Sequence, residues 1–278
     1  MRRPLIKLIA SIISIDFFWR IIQPIASVSS LLISKRKQVE ERIIIAKSSI
    51  YAALSNLQVL NGPFKGMKYP SLDAVGSSLY PKIIGSYEQE LTPIFERIIT
   101  KEYTEILDIG CAEGYYAVGF GLKFPKAKIY GYDINHRARI LCRSMAQLNN
   151  TYDRLSLNKQ CSSNELKDFN FSGKGLIISD CEGFEKELFT VDSLSNLTNA
   201  DVLIEVHDFI DITISGYLES LFSETHVIHK IKSIDDLDKA KQYNFPETNK
   251  LSLEEKGILF AEGRPQLMEW FFCESKIG

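Results

Sequence analysis

The sequence predicts an α/β protein with a doubly wound, mostly parallel sheet and a helical extension at its N-terminus. Beyond about residue 86, short apolar runs alternate with helical stretches, which is typical of a parallel sheet covered on both faces. Glycines and carboxylates cluster where the apolar runs end, at the edge where open α/β sheets bind ligands. Composition agrees, because 45% of the 278 residues are hydrophobic and 24% are charged, as in ordinary globular proteins.

The predicted elements follow one another as strand, helix, strand, helix. Four apolar runs are expected to form parallel strands, at 106–109, 128–132, 176–179 and 202–206. Helices are expected near 115–123, 137–148 and 184–189. Two later runs, 226–232 and 267–273, are expected to supply the closing strands.

The N-terminal segment differs from the rest in composition. Residues 1–47 carry nine Lys or Arg and three Asp or Glu, so their net charge is +6. Charged side chains interrupt the apolar stretch 4–34, and its longest uncharged run, 21–34, is shorter than the roughly 20 apolar residues of a spanning helix. Asp16 and Arg20 also break the apolar core that a signal peptide needs. One helical face collects apolar side chains, namely Leu5, Leu8, Ile9, Ile12, Ile15, Trp19 and Ile22.

Two interpretations of residues 4–37 stay open. In the first, the apolar face packs on the main domain or on a second subunit. Packing on a second subunit would make the protein a homo-oligomer. Alternatively, it makes peripheral contact with a membrane, helped by the basic cluster 35–37. A second helix is predicted over 38–60, before the turn signal Asn61-Gly62-Pro63. The predicted domains are therefore an N-terminal helical extension, 1–60, and a main domain, 61–278.

Charge and cysteine usage bound the function. With 33 basic and 35 acidic residues the net charge is −2, which argues against a nucleic-acid-coating protein. The five cysteines form an odd set with no C-x-x-C pair. That pattern predicts free thiols in a reducing compartment. We therefore expect a cytoplasmic protein, with membrane association left open by the N-terminal segment.

A glycine-bearing loop follows the first predicted strand. Residues 108–114 read D-I-G-C-A-E-G and lead into a helix. Gly110 and Gly114 permit a tight turn and a close approach of a ligand to the backbone. The spacing D-x-G-x-x-x-G differs from the G-x-G-x-x-G of dinucleotide enzymes, which disfavours a nicotinamide-dependent oxidoreductase.

The second predicted strand ends in an acid. Asp133 lies 19 positions beyond Gly114, where a carboxylate can accept both hydroxyls of a ribose. With Asp108, Gly110, Gly114 and Asp133, the sequence resembles class I S-adenosylmethionine-dependent methyltransferases. The resemblance implies a Rossmann-like methyltransferase fold and S-adenosyl-L-methionine as cofactor. Many members have a glycine where this chain has Ala112.

A second motif follows the third predicted strand. Residues 180–185 read D-C-E-G-F-E and resemble the hallmark of FkbM-type methyltransferases, which mostly methylate hydroxyl oxygens of sugars and natural products. Residues 85–88, G-S-Y-E, resemble a G-x-Y-E segment that closes over the methionine end of the cofactor. The cofactor site implied by these resemblances comprises Tyr87, Glu88, Asp108, Gly110, Cys111, Ala112, Gly114, Tyr115, Asp133, Ile134 and Asp180.

Methyl transfer to a hydroxyl needs a base beside the acceptor. His207 is the first candidate, because an imidazole titrates near neutrality and Glu205 or Asp208 can orient it. Asp180, at the neighbouring strand end, is the second. For Glu182 and Glu185, a favourable interaction with a helix N-terminus is a sufficient explanation.

The predicted function is thus O-methylation of a hydroxyl on a sugar, glycolipid or secondary metabolite. The expected partner is a small-molecule or glycan acceptor, with no nucleic acid. Two alternatives stay open. One is a Mg²⁺-dependent O-methyltransferase whose ion is held by a set of strand-end residues, Asp180, Glu205, His207 and Asp208. The other is a non-catalytic scaffold with this fold that docks on a membrane or a partner.

Overall fold

The computed structural model describes residues 16–264 and 266–277. The chain divides into two compact units, Met1–Tyr51 and Ala52–Gly278. The sequence predicts a domain boundary after residue 60, whereas this division falls after Tyr51. The turn Asn61-Gly62-Pro63 therefore belongs to the second unit.

The described part of the first unit is dominated by one long helix, α1 (Asp16–Lys47), which continues through Pro24. The helix predicted over 38–60 is wrong in its bounds. Both the amide and the hydroxyl of Ser48 donate to the Ile45 carbonyl, at 3.1 and 2.7 Å, and the helix ends there. The part of the predicted apolar face formed by residues 5–15 lies outside the described residues. Among the residues that are described, no helix has the length and apolarity needed to cross a membrane.

Helix α2 (Tyr51–Ser55) follows, and the backbone then becomes extended rather than helical. Gln58 and Lys68 form an isolated antiparallel bridge. The amide of Val59 donates to the Met67 carbonyl at 2.8 Å, so this stretch satisfies its backbone groups across a loop. These pairings explain why the helix predicted up to residue 60 does not form.

The described residues of the second unit form a seven-stranded sheet with the order β3-β2-β1-β4-β5-β7-β6. Its strands are β1 (Glu105–Ile109), β2 (Lys128–Tyr132), β3 (Leu155–Asn158), β4 (Gly175–Ser179), β5 (Ala200–Val206), β6 (His226–Lys232) and β7 (Glu269–Ser275). Strands β1 to β5 pair in parallel, whereas β7 runs antiparallel to both β5 and β6. The Rossmann-like, doubly wound, mostly parallel fold predicted from the sequence is confirmed.

Helices cover both faces of the sheet. They include α3 (Leu79–Ile84), α4 (Thr92–Ile99), α5 (Tyr115–Lys123), α6 (His136–Leu148), α7 (Ser163–Asp168), α8 (Glu185–Leu188), α9 (Val191–Leu197), α10 (Ile214–Phe222), α11 (Asp236–Gln242) and α12 (Leu253–Leu259). Apolar side chains of α7 to α10 pack on β1, β4 and β5 in one cluster. A separate cluster joins α5 and α6 to β2 through Ala117, Cys142 and Ile129.

One strand of the sheet was not predicted, and two predicted elements of the second unit have different bounds. Strand β3 was not predicted, because it has four residues, is only partly buried and pairs with β2 alone at the edge of the sheet. The last strand begins at Glu269 rather than at Leu267, whose side chain is exposed. The helix expected over 184–189 is limited to α8, Glu185–Leu188.

The strand order determines where a ligand can bind. Strands β1 and β4 are neighbours, and the chain crosses to opposite sides of the sheet on either side of this pair. Such a topological switch point opens a crevice at the carboxyl ends of the strands. All residues of β1, β4 and β5 are buried, so the crevice rests on a rigid base.

Candidate active site

A cavity of about 450 Å³ opens at the carboxyl ends of the parallel strands. The loops after β1, β2, β4 and β5 all contribute to its wall. Ten of the residues expected from the sequence line it: Tyr87, Gly110, Cys111, Ala112, Tyr115, Asp133, Ile134, Asp180, Glu205 and His207. Four others that were singled out, Glu88, Asp108, Gly114 and Asp208, are not among the lining residues.

The loop after β1 is shaped by its glycines. Gly110 has a φ of +88°, and a Cβ at this position would overlap the carbonyl oxygen of Asp180. The backbone segments after β1 and β4 therefore lie so close together that only a glycine fits at position 110. Gly114 has a φ of +99°, and a Cβ there would lie 2.8 Å from the sulfur of Cys142. Gly114 thus serves the packing of α5 on α6 rather than the cavity.

Asp108 occupies a different place from the one expected. Its carboxylate is buried and accepts a hydrogen bond from the amide of Ala117 at 2.7 Å, in the first turn of α5. Burial raises the pKa of Asp108 to about 7, although the Ala117 amide opposes this effect. Asp108 was expected in the cofactor site, and in this structure it lies outside the cavity lining and stabilises a helix N-terminus beneath the loop.

Asp133 lies at the lip of the cavity. One carboxylate oxygen accepts from the amide of Ala112 at 2.9 Å, and the other accepts from the amide of Asn135 at 2.7 Å. Each oxygen keeps a lone pair for a further donor. The exposed side chain of Ile134 follows it along the wall. Asp133 therefore fixes the first loop and still presents its carboxylate to a ligand.

Ala112 has a φ of +45°, in the left-handed region that glycine adopts readily. An alanine pays roughly 1 kcal/mol for this conformation. The hydrogen bond to Asp133 holds the residue there. Ala112 thus adopts a conformation that favours glycine, at a small cost in strain.

A buried histidine, His207, lines the cavity directly after β5. Nδ1 of His207 lies 2.5 Å from Oε1 of Glu185, which is fully buried. This contact makes Nδ1 the protonated nitrogen and leaves Nε2 toward the cavity. Nε2 lies 3.4 Å from Asp180, 3.6 Å from Glu182 and 3.9 Å from Glu205. The three acids of the D-C-E-G-F-E motif therefore converge on His207.

The surrounding charges set the protonation of this cluster. Burial lowers the pKa of His207, but the hydrogen bond and charge of Glu185, with Glu205 and Glu182, outweigh burial, so the pKa is raised. Burial and the neighbouring Glu205 raise the pKa of Asp180 well above its usual range. His207 therefore holds a proton more tightly than a free imidazole does, and Asp180 favours its neutral form.

The orienting partner of His207 differs from the two that were expected. A carboxylate oxygen of Asp208 accepts from the amide of Ser215 at 2.9 Å, at the start of α10. Glu205 is bound by the guanidinium of Arg264. For Glu185 the sequence predicted only a favourable interaction with a helix N-terminus. In the structure Glu185 is the residue that orients the imidazole.

Arg264 was missed by the sequence and closes one wall of the cavity. Besides Glu205, it binds Glu88 at 2.5 Å and Glu262 at 2.9 Å. Glu88 was expected to line the cofactor site, but its carboxylate is directed to Arg264 and its amide donates to Glu262 at 2.9 Å. Glu88 thus contacts Arg264 with one oxygen, and its second oxygen is buried without a partner. Arg264 lies in an irregular segment without any motif, so only its three-dimensional contacts reveal it.

A second missed residue, Lys82, lines the cavity beside two tyrosines. Its ammonium group is buried, lies 2.5 Å from Glu113, and sits 4.8 Å from the ring centre of Tyr87 and 5.4 Å from that of Tyr115. Tyr87 and Tyr115 pack edge to face with centroids 5.2 Å apart. Lys82 therefore stabilises the two tyrosines that line the cavity.

Comparison with protein-family models gives no match, and comparison with curated proteins gives none either. Comparison with solved structures does give matches. A putative O-methyltransferase from Klebsiella pneumoniae is 10% identical, with 74% of this chain and 84% of that chain covered and a TM-score of 0.44. The O-methyltransferase TomG from Streptomyces achromogenes, in complex with SAM, is 9% identical over 69% of this chain and 82% of that chain, with a TM-score of 0.45.

A putative rRNA-methylase from Clostridium thermocellum is also similar. It is 12% identical, with 67% of this chain and 96% of that chain covered and a TM-score of 0.44. Because these identities and TM-scores are low, the chemistry assigned below depends on the contacts of this chain's own residues.

Proposed function

We propose that the protein is an S-adenosylmethionine-dependent O-methyltransferase of the FkbM type, acting on a hydroxyl of a sugar, glycolipid or secondary metabolite. One observation carries the proposal. A single cavity at the switch point of the sheet brings together a strand-end carboxylate, Asp133, and a buried imidazole, His207. The first is suited to a ribose and the second to a hydroxyl proton.

The residues of the cavity fit the cofactor. Its volume, about 450 Å³, lies within the range of roughly 300–1,000 Å³ that small-molecule sites occupy. Asp133 would accept the ribose hydroxyls, and Gly110 leaves the backbone open beside it. Asp180 also lines the cavity, and its carboxyl oxygens can accept hydrogen bonds from the amino group of the cofactor. When bound, S-adenosylmethionine supplies a methyl group that is already activated by its sulfonium sulfur.

His207 would take the proton of the acceptor hydroxyl. Nε2 faces the cavity, whereas Nδ1 is bound to Glu185 at 2.5 Å. A buried carboxylate in this position holds the ring in one orientation and stabilises the imidazolium that forms. The cavity also brings the acceptor close to the cofactor and limits the access of water. The enzyme's contribution is then alignment and removal of one proton.

Two half-exposed phenylalanines support an acceptor with an apolar portion. Phe184 and Phe209 line the mouth of the cavity, and the ring of Phe209 lies 5.8 Å from that of His207. Aromatic faces can pack against aliphatic chains, aromatic rings or the apolar face of a sugar. This side of the mouth therefore favours a glycolipid or a secondary metabolite over a fully polar acceptor.

The pH dependence of the reaction should report the contact between His207 and Glu185. For the wild-type enzyme, kcat/KM should rise with pH through a midpoint above 6.5, because the raised pKa keeps His207 protonated at lower pH. In Glu185→Gln the midpoint should move to lower pH, since the carboxylate charge is gone and burial remains. Glu187→Gln, on the exposed side of the same helix, should keep the wild-type midpoint. An unchanged midpoint in Glu185→Gln would limit Glu185 to a structural role.

A label-transfer assay tests the proposed function. The full chain is incubated with methyl-labelled S-adenosylmethionine and with lipid and water-soluble metabolite fractions of the source cells. Label should pass to a product that survives mild alkali, as an O-methyl ether does and an ester does not. Cofactor binding with no transfer to any fraction would instead support the non-catalytic scaffold.

A Mg²⁺-dependent reaction is a second candidate, favoured by one specific observation. Oxygen or nitrogen atoms of Asp180, Glu205 and His207 all lie within 4.8 Å of one another at the cavity wall. Divalent ions in some O-methyltransferases draw a substrate hydroxyl toward the methyl group. The arrangement proposed here, with His207 as base, predicts that EDTA leaves turnover unchanged. Loss of turnover in EDTA, restored by added Mg²⁺, would replace it with the ion-dependent reaction.

A further inference from the structure

Helix α1 carries an exposed apolar stripe. Its members are Val28, Leu32, Val39 and Ile43, which are 56, 63, 46 and 45% exposed. Their spacings of four, seven and four residues place them within a sector of about 60° on a helix with 3.6 residues per turn. Exposed apolar groups in such a row are costly in water, so the stripe requires a partner.

Basic residues flank this stripe on both sides. Lys35 and Arg42 lie on one flank and Arg36 and Lys47 on the other, and all four are exposed. Arg36 forms an ion pair with Glu40 at 2.6 Å. Among the described side chains of α1, no carboxylate lies within ion-pair distance of Lys35, Arg42 or Lys47. The whole helix holds six basic and three acidic residues, a net charge of +3.

The same positions argue against a second copy of the helix as the partner. A coiled-coil seam places apolar residues alternately three and four positions apart. Starting from Val28 and Leu32, the seam would continue through positions 35, 39 and 42, and two of these are Lys35 and Arg42. Two basic side chains within two heptads would interrupt the packing. The observed row suits a flat apolar layer bordered by anions instead.

We propose that α1 lies in the surface of an anionic lipid bilayer. Its apolar stripe would enter the boundary between headgroups and acyl chains, while the flanking Lys and Arg side chains extend to the lipid phosphates. The two contributions reinforce each other, because apolar burial and charge attraction act on the same face. This proposal concerns α1 alone and is independent of the reaction at the sheet edge.

Flotation of the full chain with lipid vesicles tests the proposal. Vesicles of phosphatidylcholine alone are compared with vesicles that also contain about one third phosphatidylglycerol, at low and at high salt. Binding should be strong only to the anionic vesicles and should weaken at high salt. Equal binding to both vesicle types, or binding to neither, would overturn the proposal.

Two sets of variants identify the surface responsible. Leu32→Ala with Val39→Ala removes apolar area while raising helix propensity, so a loss of binding cannot come from a weaker helix. This variant should bind at least about tenfold more weakly. Replacing Lys35, Arg42 and Lys47 by glutamine should cost about fivefold for each charge. Val191→Ala, at an exposed position of α9, is the matched control and should bind like the wild type.

Sedimentation of the same proteins separates a protein partner from the bilayer. The wild type and the Leu32→Ala/Val39→Ala variant should have the same molar mass in the absence of vesicles. A dimer in the wild type that the variant loses would show that the stripe pairs with a second copy, and this result would overturn the lipid assignment.

Discussion

Replacing His207 by glutamine is expected to lower kcat by about 10²- to 10⁴-fold, the usual effect of losing an acid–base group. The side chain of glutamine retains hydrogen-bonding capacity but cannot accept the hydroxyl proton. Nε2 of His207 is assigned to the acceptor hydroxyl, whereas the ribose of the cofactor is assigned to Asp133. The affinity for S-adenosylhomocysteine should therefore stay nearly unchanged. Steady-state turnover and calorimetric titration of the same preparation separate the two effects.

The matched control is His229→Gln. His229 lies on β6, its Nε2 lies 3.3 Å from a carboxylate oxygen of Glu274, and it does not line the cavity. This variant should keep wild-type turnover. If His207→Gln also turns over normally, the base is another residue, and Asp180 is the next candidate at the cavity wall.

Replacing Asp133 by alanine is expected to weaken binding of S-adenosylhomocysteine by one to two orders of magnitude. A bidentate contact between a carboxylate and the ribose hydroxyls is worth roughly 1.5 to 3 kcal/mol. The variant also loses the anchor of the first loop, since Asp133 accepts from the amides of Ala112 and Asn135. Calorimetric titration measures the affinity, and thermal unfolding shows whether the fold is retained.

Asp153→Ala provides the control for this variant. Asp153 is an exposed acid in the 3₁₀ turn before β3, away from the cavity. Its loss should leave the affinity as it is. Wild-type affinity in Asp133→Ala would mean that the ribose contact has been assigned to the wrong strand end.

The parallel sheet was predictable because its signal is local. Each of the strands β1, β2, β4 and β5 has five to seven residues and contains a short apolar run. Since parallel strands end at the same edge of a sheet, the polar residues that follow them could be placed together without further information. The proximity of Asp180, Glu205 and His207 follows from this rule alone.

Features that depend on distant parts of the chain were not predictable. Arg264 reaches Glu88 and Glu205 across separations of 176 and 59 residues, from a segment without regular structure. Lys82 joins Glu113 across 31 residues in the same way. No periodicity or motif marks such partners, because their contacts arise only once the core has folded.

The sequence also did not predict which way the side chains of the motif residues point. Asp108 and Glu88 occur in motifs that point to a cofactor, yet the first binds the amide of Ala117 and the second binds Arg264. In each case one oxygen of the acid binds a donor within the protein, although the second oxygen of Glu88 is buried without a partner. Buried carboxylates require such partners, and a motif alone does not say whether the partner is protein or ligand.

A structure of the protein with S-adenosylhomocysteine bound is the most direct test of the central claim. We predict that the nucleoside occupies the cavity, with the ribose hydroxyls within hydrogen-bond distance of the Asp133 carboxylate and the sulfur on the side of Asp180 and His207. Density for the ligand at any other place, or a ribose without contact to Asp133, would contradict the proposed function.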